Sequence, residues 1–163
     1  GRHSRGLTRL LSDDNRHTYS QSRLKNRLAF YLGGREAERL MFDDVSTGGE
    51  ADLLAATELA RRMVCQWGMG KRVGARVVAP APFSTWDSAA NTISSHLARN
   101  IDADVSDLLE EAQTKARQIL TNLCPQLKQL ADVLLVEESF DATRLRELLS
   151  QLGVSPSTSP DAA

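Results

Sequence analysis

The chain has 163 residues, 41% of them hydrophobic and 25% charged, and carries a formal net charge of −1. That length suits one globular domain with its own core, and the balanced charge argues against a broad nucleic-acid or anionic-membrane footprint. No apolar run approaches the roughly 18 residues of a membrane span, no signal peptide opens the chain, and aromatic residues at 5% with Leu and Ala dominant favour helices over a β sandwich.

The first residue is Gly1, which reads as a cut or processed N-terminus. Gly6-Leu7-Thr8-Arg9-Leu10-Leu11 alternates as a short strand would, and the polar run Ser12-Asp13-Asp14-Asn15 breaks it. A helix is predicted from Ser20, a suitable N-cap, with Leu24, Leu28, Tyr31 and Leu32 on one face. Gly33-Gly34 then interrupts the pattern before Arg35 to Phe42 resumes it. Two readings are open there: a helix end and restart, or a close approach of another helix backbone that a Cβ would block.

Ser46-Thr47-Gly48-Gly49 is a turn into a second amphipathic helix over 50–67, with Leu53, Ala56, Ala60, Met63 and Trp67 as its stripe. Gly68 and Gly70 end it. Arg76-Val77-Val78 could form a second short strand, stopped by Pro80 and Pro82. From Asp87 to Leu123 one periodic stretch predicts a long helix with a bend or break near Asn100-Ile101-Asp102. Pro125 suits the first turn of the next helix, and Asp141 caps a last one that Gly153 closes. The expected fold class is mainly α, a helical bundle with two short β strands. Residues 1–152 form the domain, and 153–163 form a Ser/Pro-rich tail with the composition of a disordered segment.

Chemical motifs are sparse. Gly68-Met69-Gly70-Lys71 is not a P-loop, because Cys65 and Arg72 stand where that motif needs Gly and Ser or Thr. Neither H-E-x-x-H nor C-x-x-C occurs, so the chain has no self-contained metal motif. Cys65 and Cys124 read as reduced core thiols, and His3, His17 and His96 as surface or satisfied histidines. Asp52, with Glu50, sits in the first turn of its helix, where an acid gains about 0.3–1 kcal/mol from the helix dipole. The arginines over 23–39 alternate with acids, and Glu36 and Glu38 balance Arg35 and Arg39 on what reads as a solvated face.

Three ordered segments carry a resemblance. Leu32-Gly33-Gly34-Arg35-Glu36-Ala37-Glu38-Arg39-Leu40-Met41-Phe42 is followed by Ser46-Thr47-Gly48-Gly49-Glu50-Ala51-Asp52-Leu53, and then by Ala56 to Val64 and Trp67-Gly68-Met69. Together they resemble the C-terminal part of the peptidase domain of FtsH-type ATP-dependent zinc metallopeptidases. The likeness extends more loosely to Gly6-Leu7-Thr8, Ile101-Asp102 and Glu138-Ser139-Phe140. By this resemblance Asp52 matches the family's third zinc ligand, the other two being the histidines of H-E-x-x-H. Gly6, Leu7 and Thr8 match the strand whose edge pairs with substrate.

The H-E-x-x-H segment, the ATPase module that binds ATP and Mg²⁺, and the membrane anchors lie upstream of that strand in the family. The resemblance therefore implies a proteolytic portion of a hexameric enzyme that degrades unfolded or membrane proteins. Its membrane contact runs only through segments outside this sequence, with the domain itself soluble on a cytoplasmic, stromal or matrix side. No catalytic residue of the family falls within the sequence, and no nucleic-acid partner is implied. The alternative is a catalytically dead relative that serves ring assembly; an unrelated helical adaptor fits the motif order poorly.

Overall fold

Leu24, Leu28 and Leu32 recur at every fourth position, so they fall on one face of a helix and can bury together. In the computed structural model, which describes residues 18–78, 93–137, 139 and 141–154, this face belongs to α1, Gln21–Phe42. Ser20 starts it, its Oγ accepting the Arg23 N–H at 3.3 Å. Asp43 ends it in the left-handed region with φ 52°, its N–H donating to the Arg39 carbonyl. The helix runs unbroken through Gly33 and Gly34. A restart is therefore excluded, and a Cβ on either glycine would meet nothing within 4 Å among the described residues.

A 3-10 turn, Thr47–Gly49, leads into α2, Glu50–Cys65. The helix is two residues shorter than the periodicity predicts, since Gln66 and Trp67 form its C-terminal turn. Its buried face is Ala56, Ala60, Met63, Val64 and Cys65. The long helix, α3, spans Ser95–Asn122 with Ser94 as N-cap, and it is helical throughout Asn100-Ile101-Asp102. The predicted break is absent because Ile101, Val105, Leu108, Ala112 and Ala116 make one uninterrupted buried stripe. α1 packs chiefly on α3, and α2 lies against both. The small side chains at positions 56, 60, 112 and 116 let the helices approach closely around the leucines of α1.

α4, Cys124–Glu137, carries Pro125 in its first turn and buries none of its residues. α5, Ala142–Gln151, is capped by Asp141, whose Oδ1 accepts the Arg144 N–H at 2.7 Å, and it closes on Gly153 at φ 70°. The mainly α expectation holds, and no strand occurs among the described residues. Arg76-Val77-Val78 is a loop. Val78 donates its N–H to the Cys65 carbonyl at the end of α2, and among the described residues no extended segment offers it a ladder to join. The predicted strand at 6–11, the start of the long periodic stretch at 87–92 and tail residues 155–163 lie outside the described residues.

Two acids are core groups: Glu36, which the sequence places on a solvated face, and Asp104. Glu36 extends the Leu24-Leu28-Leu32 ladder by one more step, and its side chain is fully buried. Arg117 of α3 donates to it through Nε and Nη2 at 3.1 and 3.0 Å, and Arg39 adds a contact at 3.3 Å. Asp104 lies on the buried stripe of α3 between Ile101 and Leu108. Its carboxylate accepts the backbone N–H groups of Arg72 and Val73 at 2.9–3.0 Å and the Arg72 guanidinium at 3.1 Å. It thus pins the loop after α2 onto α3. Gly70 passes so close to that carboxylate that a Cβ there would collide with it.

Asp104→Ala strands two backbone donors and should destabilise the fold by about 2–4 kcal/mol. Gly70→Ala should cost about 1–3 kcal/mol by displacing the same carboxylate, and the double variant should lose less than the sum of the singles, as chemical denaturation would measure. Strict additivity would separate the two effects and contradict the shared contact. Burial pushes the Cys65 thiol up and keeps it protonated, whereas Cys124 is only half-buried. Iodoacetamide should therefore label Cys124 in the native chain and reach Cys65 only on unfolding, which peptide mass mapping would read; equal rates would contradict the burial.

Candidate metal-ligand site

Asp52 owes its place to the chain entering α2. Gly49, the N-cap of that helix, has no side chain to cap it, so the restraint comes from one turn earlier. Ser46 caps the 3-10 turn, its Oγ accepting the Gly48 N–H at 3.1 Å, and the Glu50 N–H donates to the Thr47 carbonyl. Glu38 of α1 holds Ser46 in turn. Its Oε2 accepts the Ser46 N–H at 2.8 Å and its Oε1 the Ser46 hydroxyl at 2.7 Å. These bonds, the backbone N–H first, draw the Glu38 carboxyl below the usual range, with Arg35 adding a smaller pull.

The result is a cleft of about 190 Å³ between α1 and the start of α2. Tyr31, Gly34, Arg35 and Glu38 line it from one side, Gly49 and Asp52 from the other. The Gly-Gly-Arg segment and the Thr-Gly…Asp-Leu segment, separate in sequence, thus meet at one place. Asp52 is exposed and has no hydrogen bond or ion pair among the described residues. A free carboxylate of this kind is a hard anionic oxygen donor, suited to a divalent cation once further ligands are supplied. The described residues do not complete such a site, for no group of three or more His, Cys, Asp or Glu among them could hold a metal. Glu38 is no spare ligand, since both its oxygens are engaged on Ser46.

The other sequence candidates fall elsewhere. Gly6, Leu7, Thr8, His3 and His17 lie outside the described residues. His96 is exposed on α3 and shares a hydrogen bond of 3.3 Å with the Asn100 side chain. The segment 56–64, third of the ordered motifs, serves packing, with Ala56, Ala60, Met63 and Val64 fully buried. Apolar side chains stand exposed on the flanking helices, including Phe30, Phe42, Leu53 and Leu54. The Glu38 to Ser46 tether was not legible in the sequence, where no spacing rule joins a helical acid to a serine eight residues on.

Comparison with known proteins agrees with the motif order. Residues 1–148 match peptidase family M41. A protein of Syntrophotalea carbinolica named ATP-dependent zinc metalloprotease FtsH is 42% identical over 161 residues, covering 96% of this chain and 25% of the relative. Proteins of the same name from Pelobacter propionicus and Pseudothermotoga lettingae are 37% and 35% identical, over 95% and 91% of this chain and 26% and 24% of theirs. The chain spans about a quarter of the length of the curated relatives it matches. With the family matched over nearly all its residues, the chain belongs to peptidase family M41, the family of the FtsH peptidase domain.

Proposed function

We propose that the chain is the proteolytic-domain portion of an ATP-dependent zinc metalloendopeptidase, with Asp52 as one of three protein ligands to the zinc. The observation that carries this reading is the cleft in which the two family segments converge on an exposed carboxylate with no partner among the described residues. The remaining two ligands would be the histidines of an H-E-x-x-H helix, a motif that these 163 residues do not contain. Zinc so held supplies Lewis acidity and a water whose pKa falls toward about 7. The part of this chain is to place the carboxylate: α2 holds it at its first turn, and the open side of α1 at Gly33 and Gly34 leaves room for a neighbouring element.

Unfolded or membrane proteins are the proposed substrates, presented as extended chains to the edge at Gly6, Leu7 and Thr8. Strand addition of that kind reads backbone more than side chains. ATP and Mg²⁺ would act through a separate ATPase module, and membrane anchoring on a cytoplasmic, stromal or matrix side through further segments. Among the described residues, no helix is long and apolar enough to cross a membrane. A homo-oligomer, a hexamer by analogy, is supported by α4, which has no fully buried residue and exposes Leu134, Leu135 and Val136.

Isothermal titration of the 163-residue chain with Zn²⁺ should find no sub-micromolar site, because one carboxylate is too few ligands; a tight site abolished by Asp52→Ala would refute the division of ligands. In the complete protease, Asp52→Ala should lower both zinc occupancy and peptide cleavage by at least ~100-fold. Full cleavage with Asp52 removed would contradict the ligand role.

A further inference from the structure

Arg35 lines two hollows at the start of α2. One is the cleft of about 190 Å³ that Asp52 shares, and the other, of about 350 Å³, takes in Val45 and Glu50. Arg35 is half-buried, and it makes no hydrogen bond, ion pair or ring contact among the described residues. The other arginines of α1 are occupied. Arg23 and Arg27 lie over the rings of Tyr19 and Tyr31 at 5.3 and 5.8 Å, and Arg39 pairs with Glu36. Glu38 feels the Arg35 charge, yet both of its oxygens are engaged on Ser46. The planar fork of five N–H donors is thus left open to an acceptor from outside. Holding such donors half out of water is unfavourable, and a bound oxygen would offset that cost.

Charge decides which oxygen fits. Glu38, Glu50 and Asp52 line the same two hollows, against the single positive charge of Arg35. A ligand carboxylate would meet their repulsion, and a divalent cation on Asp52 would bring the balance only to neutral. A neutral carbonyl oxygen meets no such repulsion and still gains a charge-assisted hydrogen bond. Leu53, partly exposed and common to both hollows, gives apolar surface for the side chains flanking that carbonyl.

We propose that Arg35 is a substrate-binding residue, donating to a backbone carbonyl oxygen of a peptide that lies extended across the start of α2. The inference rests on the reading of the chain as part of a peptidase, and not on Asp52 being a metal ligand. Contact with the backbone suits an enzyme that takes unfolded chains of differing sequence.

Anisotropy of a short fluorescent peptide, its scissile amide reduced to a methylene-amine so that it is not cut, tests this on the full-length protein that carries this chain. Arg35→Ala should weaken peptide binding about 10- to 100-fold and leave zinc content unchanged, and Arg35→Lys should fall between it and the wild type. Replacing the backbone carbonyl oxygens by sulfur one at a time should reveal one position that weakens binding to the wild type and adds nothing in Arg35→Ala. Wild-type affinity in Arg35→Ala overturns the proposal, as do thioamide effects that are the same in both proteins at every position. Loss of zinc from Arg35→Ala also overturns it, since Arg35 would then support the metal site. An acidic peptide side chain whose benefit vanishes in Arg35→Ala would overturn the carbonyl assignment in favour of a carboxylate. A wild type that binds no such peptide contradicts the peptidase reading itself, whereas zinc retained in Asp52→Ala removes only the ligand role. Should Arg35→Ala not fold, Arg35→Met, which keeps the apolar stem, must show the same position-specific loss; unchanged binding there is again a refutation.

Discussion

The burial of the α1 leucine ladder against α3 and α2 is the interaction on which the rest of the molecule depends. Leu24, Leu28 and Leu32 are nearly inaccessible to solvent, as are Ala56, Ala60 and Met63 opposite them on α2. Removing a buried leucine from such a seam typically costs about 2–5 kcal/mol, a large part of a domain's total stability. Polar contacts at the surface of the same seam, such as Lys25 to Glu111, contribute at most about 1 kcal/mol each. Apolar packing therefore fixes how α1 and α2 lie, and the cleft with Asp52 exists because their ends are held apart by the turn at 43–49.

Buried acids complete that framework in two places. Glu36 and Asp104 are both inside, and each is matched by donors: two arginines for the first, two backbone N–H groups and an arginine for the second. Such groups are costly to bury alone, and breaking one partner is what destabilises. They give the helix packing a unique alignment that the apolar stripes by themselves do not dictate. Near the site the same logic recurs at Glu38, but with an exposed turn as its partner, so its effect is local to the start of α2.

Much of this was readable from residues alone. The Ser20 and Asp141 caps, the apolar faces of α1 to α3, and the Pro125 start of α4 follow from spacing and capping chemistry. Glu36 and Asp104 each fall on an apolar stripe at helical spacing, Glu36 four residues past Leu32 and Asp104 three past Ile101. An acid on such a stripe marks either a buried pair or a wrong period. The long helix continues through Asn100-Ile101-Asp102 because local turn-forming residues count for less than a continuous buried face, and Arg76–Val78 is a loop with no strand partner among the described residues. Pattern alone left Asp52 an ordinary first-turn acid; its distinction came from the ordered motifs, and its convergence with Gly34 and Glu38 from the fold.

The chemistry proposed for Asp52 also depends on its neighbours. A carboxylate at the positive end of a helix, with no partner among the described residues, is stable in water without a metal and open to one. X-ray absorption at the zinc edge of the full-length protein, loaded with zinc and carrying Asp52→Cys, tests the ligand role most directly. A sulfur scatterer at about 2.3 Å should enter the first shell in place of one oxygen. A first shell of nitrogen and oxygen only, the same as in the wild type, would contradict it.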